Sequence, residues 1–240
     1  MKKLLPLALA ISCLTPAAMA GDLNALQLLN QSEFRTLSED LGAALSYKSV
    51  MPTAPLGILG FDVGVVVSGS DMSRSAALLS KASGGGITES TLYMPKLHVA
   101  KGLPFGVDAA AFISRVPTTN IQLVGGELRY ALVEGNMLLP AIAVRGAMSK
   151  LSGVEQLSLD TKSVDISISK GFLMLTPYAG IGRVWTDSSA RNVSTLSAES
   201  FSQTKVFAGV NLNLGLANLA FETDKTGQVN TYSAKVGLRF

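Results

Sequence analysis

From Gly57 to the last residue, apolar and polar side chains alternate with a period of two, segment after segment. That period belongs to β-strands with two unlike faces and conflicts with the 3.6-residue repeat of helices. In "FDVGVVVS", Phe61, Val63, Val65 and Val67 form one face and Asp62, Gly64 and Ser68 the other. "YMPKLHVAK" sets Tyr93, Leu97 and Val99 against Lys96 and His98. "FGVDAAAFIS" sets Phe105, Val107, Ala109, Ala111 and Ile113 against Asp108 and Ser114. The scheme recurs in "LLPAIAVRGAMS" around Arg145 and Ser149, in "VDISIS" around Asp165, in "TKVFAGVNLNLG" around Lys205, Asn211 and Asn213, and in "LAFET" around Glu222. Two stretches are less regular. "NIQLVGGELRYAL" changes phase between Ile121 with Leu123 and Leu128 with Tyr130, and Gly125-Gly126 is the expected site of a bulge. "LTPYAGIGRVW" commits neither face, with Arg183 and Trp185 sharing one.

Such strands could build a soluble sandwich or a membrane barrel. The chain of 240 residues is 48% hydrophobic and 15% charged, yet no stretch supplies the roughly 20 uninterrupted apolar residues of a spanning helix. The best candidate, "PLGILGFDVGVVVSG", is too short and contains Asp62. Connections tip the balance. Links at Pro52 to Pro55, Gly102 to Pro104, Gly135 to Asn136, Lys170 to Gly171 and Gly215 to Ala217 read as tight. Those at Gly69 to Ser90, Leu151 to Glu155 and Ser188 to Ser202 read as longer, and fall between them. Short turns at one end and longer loops at the other fit a barrel that crosses an outer membrane.

The chain closes on "NTYSAKVGLRF", with Tyr232, Ala234, Val236, Leu238 and Phe240 at every second position. This ending resembles the C-terminal signature of Gram-negative outer-membrane β-barrels. The resemblance implies that the last strand closes the barrel and that Tyr232, Val236, Leu238 and Phe240 are read by the outer-membrane barrel assembly machinery. It also implies outer-membrane lipid and lipopolysaccharide as surroundings. The expected fold is thus all-β, a transmembrane antiparallel up-and-down barrel of about 10–12 strands.

The N-terminus agrees. "MKKLLPLALAISCLTPAAMA" has Lys2 and Lys3, a short apolar run and the small residues Ala18 and Ala20, the form of a cleaved signal peptide over residues 1–20. Sec export and a mature chain from Gly21 follow. Cys13 lies inside that segment, and "AIS" before it makes a poor lipobox. Its removal leaves no thiol and no disulfide. Loss of Lys2 and Lys3 takes the formal charge from +3 to +1, so no charge argument for nucleic acid remains.

Residues 21–43 differ from the rest. Leu23, Leu26, Leu29, Phe34, Leu37, Leu41 and Leu45 recur near helical spacing, and Gln27, Glu33, Arg35, Glu39 and Asp40 fill the gaps. The spacing predicts an amphipathic segment ending near Gly42, then "AALSYKSVM" as a first strand of a barrel over residues 44–240. Strand parity then places the start of that strand at the outer end. The amphipathic segment is expected to thread the lumen as a plug, its stripe against small inward residues such as Gly64 and Ala110. Two alternatives stay open: an additional strand, or a ten-stranded barrel with Ala44 to Met51 outside it and the helix in the periplasm.

By phase, the expected lumen-lining residues are Asp62, Lys96, His98, Asp108, Glu127, Arg129, Arg145, Asp165, Arg183, Lys205, Glu222, Lys235 and Arg239. Either they pair across strands and rigidify a closed barrel, or they line a pore weakly biased to anions. His98 is the single histidine, about four residues or roughly 13 Å from the turn at Gly102, the wrong end for a hydrolase acting on the outer leaflet. No enzyme, cofactor or metal centre is expected, since the carboxylates show no loop spacing for a cation. The leading expectation is a channel or uptake path for small or amphipathic solutes. A closed-lumen structural or assembly protein is the alternative, and an outer-membrane lipid-acting enzyme comes third.

Overall fold

A computed structural model describes residues 23–115 and 122–240. The signal peptide over 1–20, the start at Gly21, and Ile121 with its part of the expected phase change lie outside the described residues.

Ten strands among the described residues close into an antiparallel barrel: β1 (Phe61–Asp71), β2 (Thr91–Gly102), β3 (Val107–Arg115), β4 (Gln122–Val133), β5 (Ala141–Ser152), β6 (Leu157–Ser169), β7 (Leu175–Ala190), β8 (Glu199–Leu214), β9 (Ala217–Thr226) and β10 (Val229–Arg239). Each strand pairs with its sequence neighbours, and β1 pairs with β10, so no edge is left open. At that seam Val65 lies opposite Val236, and Phe61 and Phe240 exchange both backbone hydrogen bonds, at 2.8 and 3.0 Å.

Alternation fixes the two faces. On β1 the side chains of Asp62, Val66, Ser68 and Ser70 are buried inside, while Val63 and Val65 are exposed on the outer wall. The expected bulge at Gly125-Gly126 is absent. Register runs unbroken from Gln122 opposite Ser152 to Ala131 opposite Ala143, and shifts only between Ala131 and Val133. Leu123 keeps the inward phase although it is apolar, because it joins a hydrophobic cluster inside the barrel. Gly125, also inward, leaves space for a ring: a Cβ there would lie within van der Waals overlap of Phe112.

Loop sorting is weaker than the sequence suggests. At one end, here the turn end, lie links 103–106, 134–140, 170–174 and 215–216. At the other, the loop end, lie 72–90, 153–156, 191–198 and 227–228. Strands β7 and β8 pair as far as Ser188 opposite Glu199, which consumes much of the expected long loop.

The amphipathic segment forms a 3-10 turn (Leu26–Leu28) and helix α1 (Gln31–Leu45). Asn30 and Glu33 make a capping box at its start: the Asn30 side chain accepts from the Glu33 amide at 2.9 Å, and the Asn30 amide donates to the Glu33 carboxylate at 2.8 Å. At its end the Lys48 ammonium donates to Ala43 O at 2.9 Å, a cation where the helix leaves carbonyls unpaired. Ala25 N donates to Ala82 O of helix α2 (Ala76–Ala82), which sits in the loop between β1 and β2. The segment therefore starts at the loop end and descends inside the barrel.

The expected strand at Ala44 to Met51 does not form. Helix α1 runs to Leu45, and residues 46–53 continue as buried, irregular chain down the lumen, with Val50 at φ 49°. Every ladder edge of the closed sheet is already used, so wall side chains satisfy this backbone instead. Lys205 donates to Tyr47 O at 2.8 Å, Arg129 to Pro52 O at 2.6 Å, and Leu56 N donates to the Asp108 carboxylate at 3.1 Å. The barrel wall begins at Phe61, where the chain turns at the turn end.

Candidate functional site: a filled lumen

Inside the barrel, chemistry changes along the axis. Near the loop end, Leu26, Leu29, Phe34, Leu37, Leu41 and Leu45 join Met94, Leu151, Leu157, Leu159, Val193 and Leu196 in one buried apolar cluster. The plug stripe thus meets large apolar wall residues rather than Gly64 and Ala110. Gly64 is instead covered by the Lys235 stem, with a Cβ there only 3.1 Å from Lys235 Cγ.

Below the cluster the lumen is charged. Lys48 lies 3.3 Å from the Asp224 carboxylate, and Lys96 stands over the Phe112 ring at 5.2 Å. Arg145 bridges Asp165 at 2.8 Å and Glu127 at 3.5 Å, and Ser49 of the plug donates to the other Glu127 oxygen at 3.1 Å. Tyr178 donates to Glu222 at 3.0 Å. Toward the turn end Arg129 grips Asp108 at 2.6 Å, Lys235 holds both Asp62 oxygens at 2.8 Å, and Arg239 lies 3.6 Å from Asp62.

His98 takes a hydrogen bond with the Tyr47 hydroxyl through Nε2 at 3.1 Å, and its Nδ1 is 4.0 Å from Asp62. A Tyr–His–Asp row can orient an imidazole, but each of the three is only 1% exposed, so no substrate reaches it in this conformation. Among the described residues no three metal-ligating side chains converge.

Asp62, Lys96, His98, Asp108, Glu127, Arg129, Arg145, Asp165, Lys205, Glu222, Lys235 and Arg239 all point into the lumen. Arg183 does not. It is exposed on the outer wall, where its Nε donates to Ser202 at 3.0 Å. The inward positions beside it are Gly182 and Val184, and neither is polar enough to reveal the phase of the strand. Tyr47, Lys48, Tyr178 and Asp224 are lumen residues that the sequence reading missed. Asp224 follows Glu222 at the same phase, so the alternation of "LAFETDKT" carries its signal; Tyr47 and Lys48 were hidden by the strand assignment. Tyr232, Val236, Leu238 and Phe240 are exposed on the outer wall.

At the loop end charged side chains tie the plug to the rim. Arg74 binds Asp40 and Glu39, Arg35 binds Glu199 at 2.7 Å, and Lys81 binds Glu33 at 2.9 Å. The Lys81 hydrogen bond, with help from the Asn30 amide, holds the Glu33 carboxyl below the usual carboxylate range.

No known family profile matches the chain, and no curated protein does. Among solved structures it is similar to the KdgM porin, at 8% identity over 75% of this chain and 99% of that one, with a TM-score of 0.38. It is also similar to Ail, the attachment invasion locus protein of Yersinia pestis, at 13% identity over 75% and 98%, with a TM-score of 0.32. Neisserial surface protein A aligns at 10% identity over 75% and 94%, with a TM-score of 0.30.

Proposed function

We propose that this protein is an outer-membrane barrel that its own residues 23–55 keep closed, serving envelope structure or assembly rather than free diffusion of solutes. The membrane part of this reading is supported by the outer wall. Val63, Val65, Leu97, Ile113, Leu128, Val164, Ile166, Phe221 and Val236 are all exposed there, a belt that water would not favour and lipid would. Tyr93, Trp185 and Tyr232 lie toward the loop end of this belt, as interfacial aromatics do. Outer-membrane lipid and lipopolysaccharide are then its surroundings, and the exposed alternate residues ending in Phe240 are the surface offered to the assembly machinery.

The observation that carries the closed state is the apolar cluster inside the lumen. Six large plug side chains, Leu26, Leu29, Phe34, Leu37, Leu41 and Leu45, are buried there. At about 1.5–3 kcal/mol each, baring them to water costs on the order of 10 kcal/mol. Spontaneous opening at that cost would occupy about one molecule in ten million. Full-length protein in a planar bilayer should therefore show no steady conductance; a stable open pore would refute the reading.

A gated uptake path is the second reading, favoured by the lower plug. From Tyr47 to Leu56 it is held largely by hydrogen bonds from charged wall residues, which water or a polar solute could replace. A Ser38→Cys/Ser188→Cys pair would tether α1 to β7, since the two hydroxyl oxygens already face each other at 2.9 Å. Rare openings that vanish on oxidation and return on reduction would support gating. Silence in both redox states leaves the closed-lumen reading standing.

A further inference from the structure

The turn end of the barrel carries a ring of exposed apolar side chains. Ile58 and Leu59 precede β1, Phe105 tips the β2–β3 turn, Met137 and Leu138 the β4–β5 turn, Leu173 the β6–β7 turn, and Leu216 the β8–β9 turn. Leu173 is fully exposed and Phe105 is 92% exposed. Both sit at positive φ, 54° and 63°, where Gly or Asn would be easier to place. A turn in water has no need of Phe, Met or Leu at its tip.

We infer that these turns are immersed in the adjoining lipid leaflet, so that the membrane contact surface extends past the strand ends and over the turn tips. The inference rests on the outer-membrane reading above and places the barrel within that membrane.

Three observations point to lipid. The ring is continuous with the outer belt: Ile58 and Leu59 lead into Phe61 at the start of β1, whose ring centroid lies 5.6 Å from that of Phe240. On β10 the belt is short: from Tyr232 to Phe240 is eight residues, which on a strand tilted about 40° rise about 20 Å, against an apolar band of about 25 Å in barrels of this kind. Beside that strand the turns add height. Finally, several polar groups of the turns are satisfied internally, as immersion in hydrocarbon demands, with the Glu134 carboxylate left exposed. Lys170 donates to Asn136 O at 3.0 Å and Met137 O at 2.7 Å. The Asn136 side chain accepts from Leu138 N and Leu139 N at 2.8 Å, and Lys101 donates to Ile58 O and Gly60 O. Lys101 also lies over the Phe61 ring at 4.3 Å, its stem along apolar surface.

Trp185 is the single tryptophan, so a Trp185→Phe background is dark. Into it Phe105→Trp, Leu173→Trp, the mid-belt control Phe221→Trp and the loop control Thr195→Trp are placed one at a time. Each is folded into phosphatidylcholine vesicles with plain or brominated acyl chains and checked for a heat-modifiable band. The turn probes should lose emission to the brominated lipid as Phe221→Trp does and resist iodide. Turn probes quenched by iodide like Thr195→Trp, with Phe221→Trp still quenched by bromine, would overturn the inference alone and leave that ring to a periplasmic protein. Phe221→Trp indifferent to bromine would overturn the membrane reading and this inference with it. Phe105→Trp keeps an aromatic residue at its position, so it decides the matter even if Leu173→Trp does not fold.

Discussion

Asp62 on β1 and Lys235 on β10 join the two strands that close the barrel, with the ammonium 2.8 Å from both carboxylate oxygens and both side chains buried. Lys235 stands opposite Val66, not Asp62, and its stem crosses Gly64 to reach down the lumen. A buried ion pair gains little over an apolar pair of similar size, but a lone buried charge is expensive. Asp62→Ala should therefore destabilise the barrel by about 3–5 kcal/mol in urea unfolding, and Asp62→Ala/Lys235→Leu should recover most of the loss. Equal losses in the single and double variants would mean that the pair does not act as a unit.

Gly42 of the plug helix lies against β7 so closely that a Cβ would meet Thr186 Oγ1 at 2.6 Å. Gly42→Val should force helix α1 off the wall at a cost of about 1–3 kcal/mol. Thr186→Gly in the same chain should restore much of that stability, read as the coupling in a double-mutant cycle. Additive effects would show that the helix is not seated against this strand.

The two faces can be tested by substitutions of opposite sense. Val210→Lys puts a charge on the outer wall and, under the membrane reading proposed above, should hinder folding by about 2–4 kcal/mol near the bilayer centre. Arg183→Gln, on the outer wall near Trp185, should change stability by less than about 0.5 kcal/mol. Arg145→Leu, which strands Asp165 and Glu127 in the lumen, should cost about 3–5 kcal/mol. A large effect at Arg183 would return it to the lumen.

Acidity should loosen the top of the plug. The folded Glu33 carboxyl is held below its ordinary range by Lys81, so the contact stabilises fully above that range. It is lost as the pH falls through the depressed value and the carboxyl takes up a proton. The hydrogen-exchange protection factor of the first turn of α1 should fall below the usual carboxylate range, and Glu33→Gln should show weak protection already at neutral pH. A protection factor unchanged from neutral to acid pH would show that Lys81 does not hold this end.

The wall was readable because period-two patterning records which side of a strand faces outward. Twelve of the charged or titratable residues chosen by phase lie inside, from Asp62 to Arg239. Arg183 escaped because its strand places Gly180 and Gly182 inward, where they admit the Phe207 ring and the Asp165 side chain. With no contrast across the strand, its charge gives a false sign of the inner face. Leu45 and Tyr47 alternate with Ser46 and Lys48 like a strand, yet in a filled lumen both sides of the chain are buried, and pairing rather than patterning decides what it becomes. No residue pattern could announce that the partners of that chain would be the side chains of Lys205, Arg129 and Asp108.

The covalent path through the barrel gives its closure a direction. Residues 23–60 run from the loop end to the turn end and are joined there to β1. A pull from the loop end, however strong, leaves the length of chain leading to Phe61 still strung through the bore, like a cord knotted on the far side of a ring. Only withdrawal toward the turn end empties it, and that route drags the leucines and Phe34 of α1 past Arg145, Glu127 and Asp165. A ligand landing on the loop end could loosen this stopper but never draw it out.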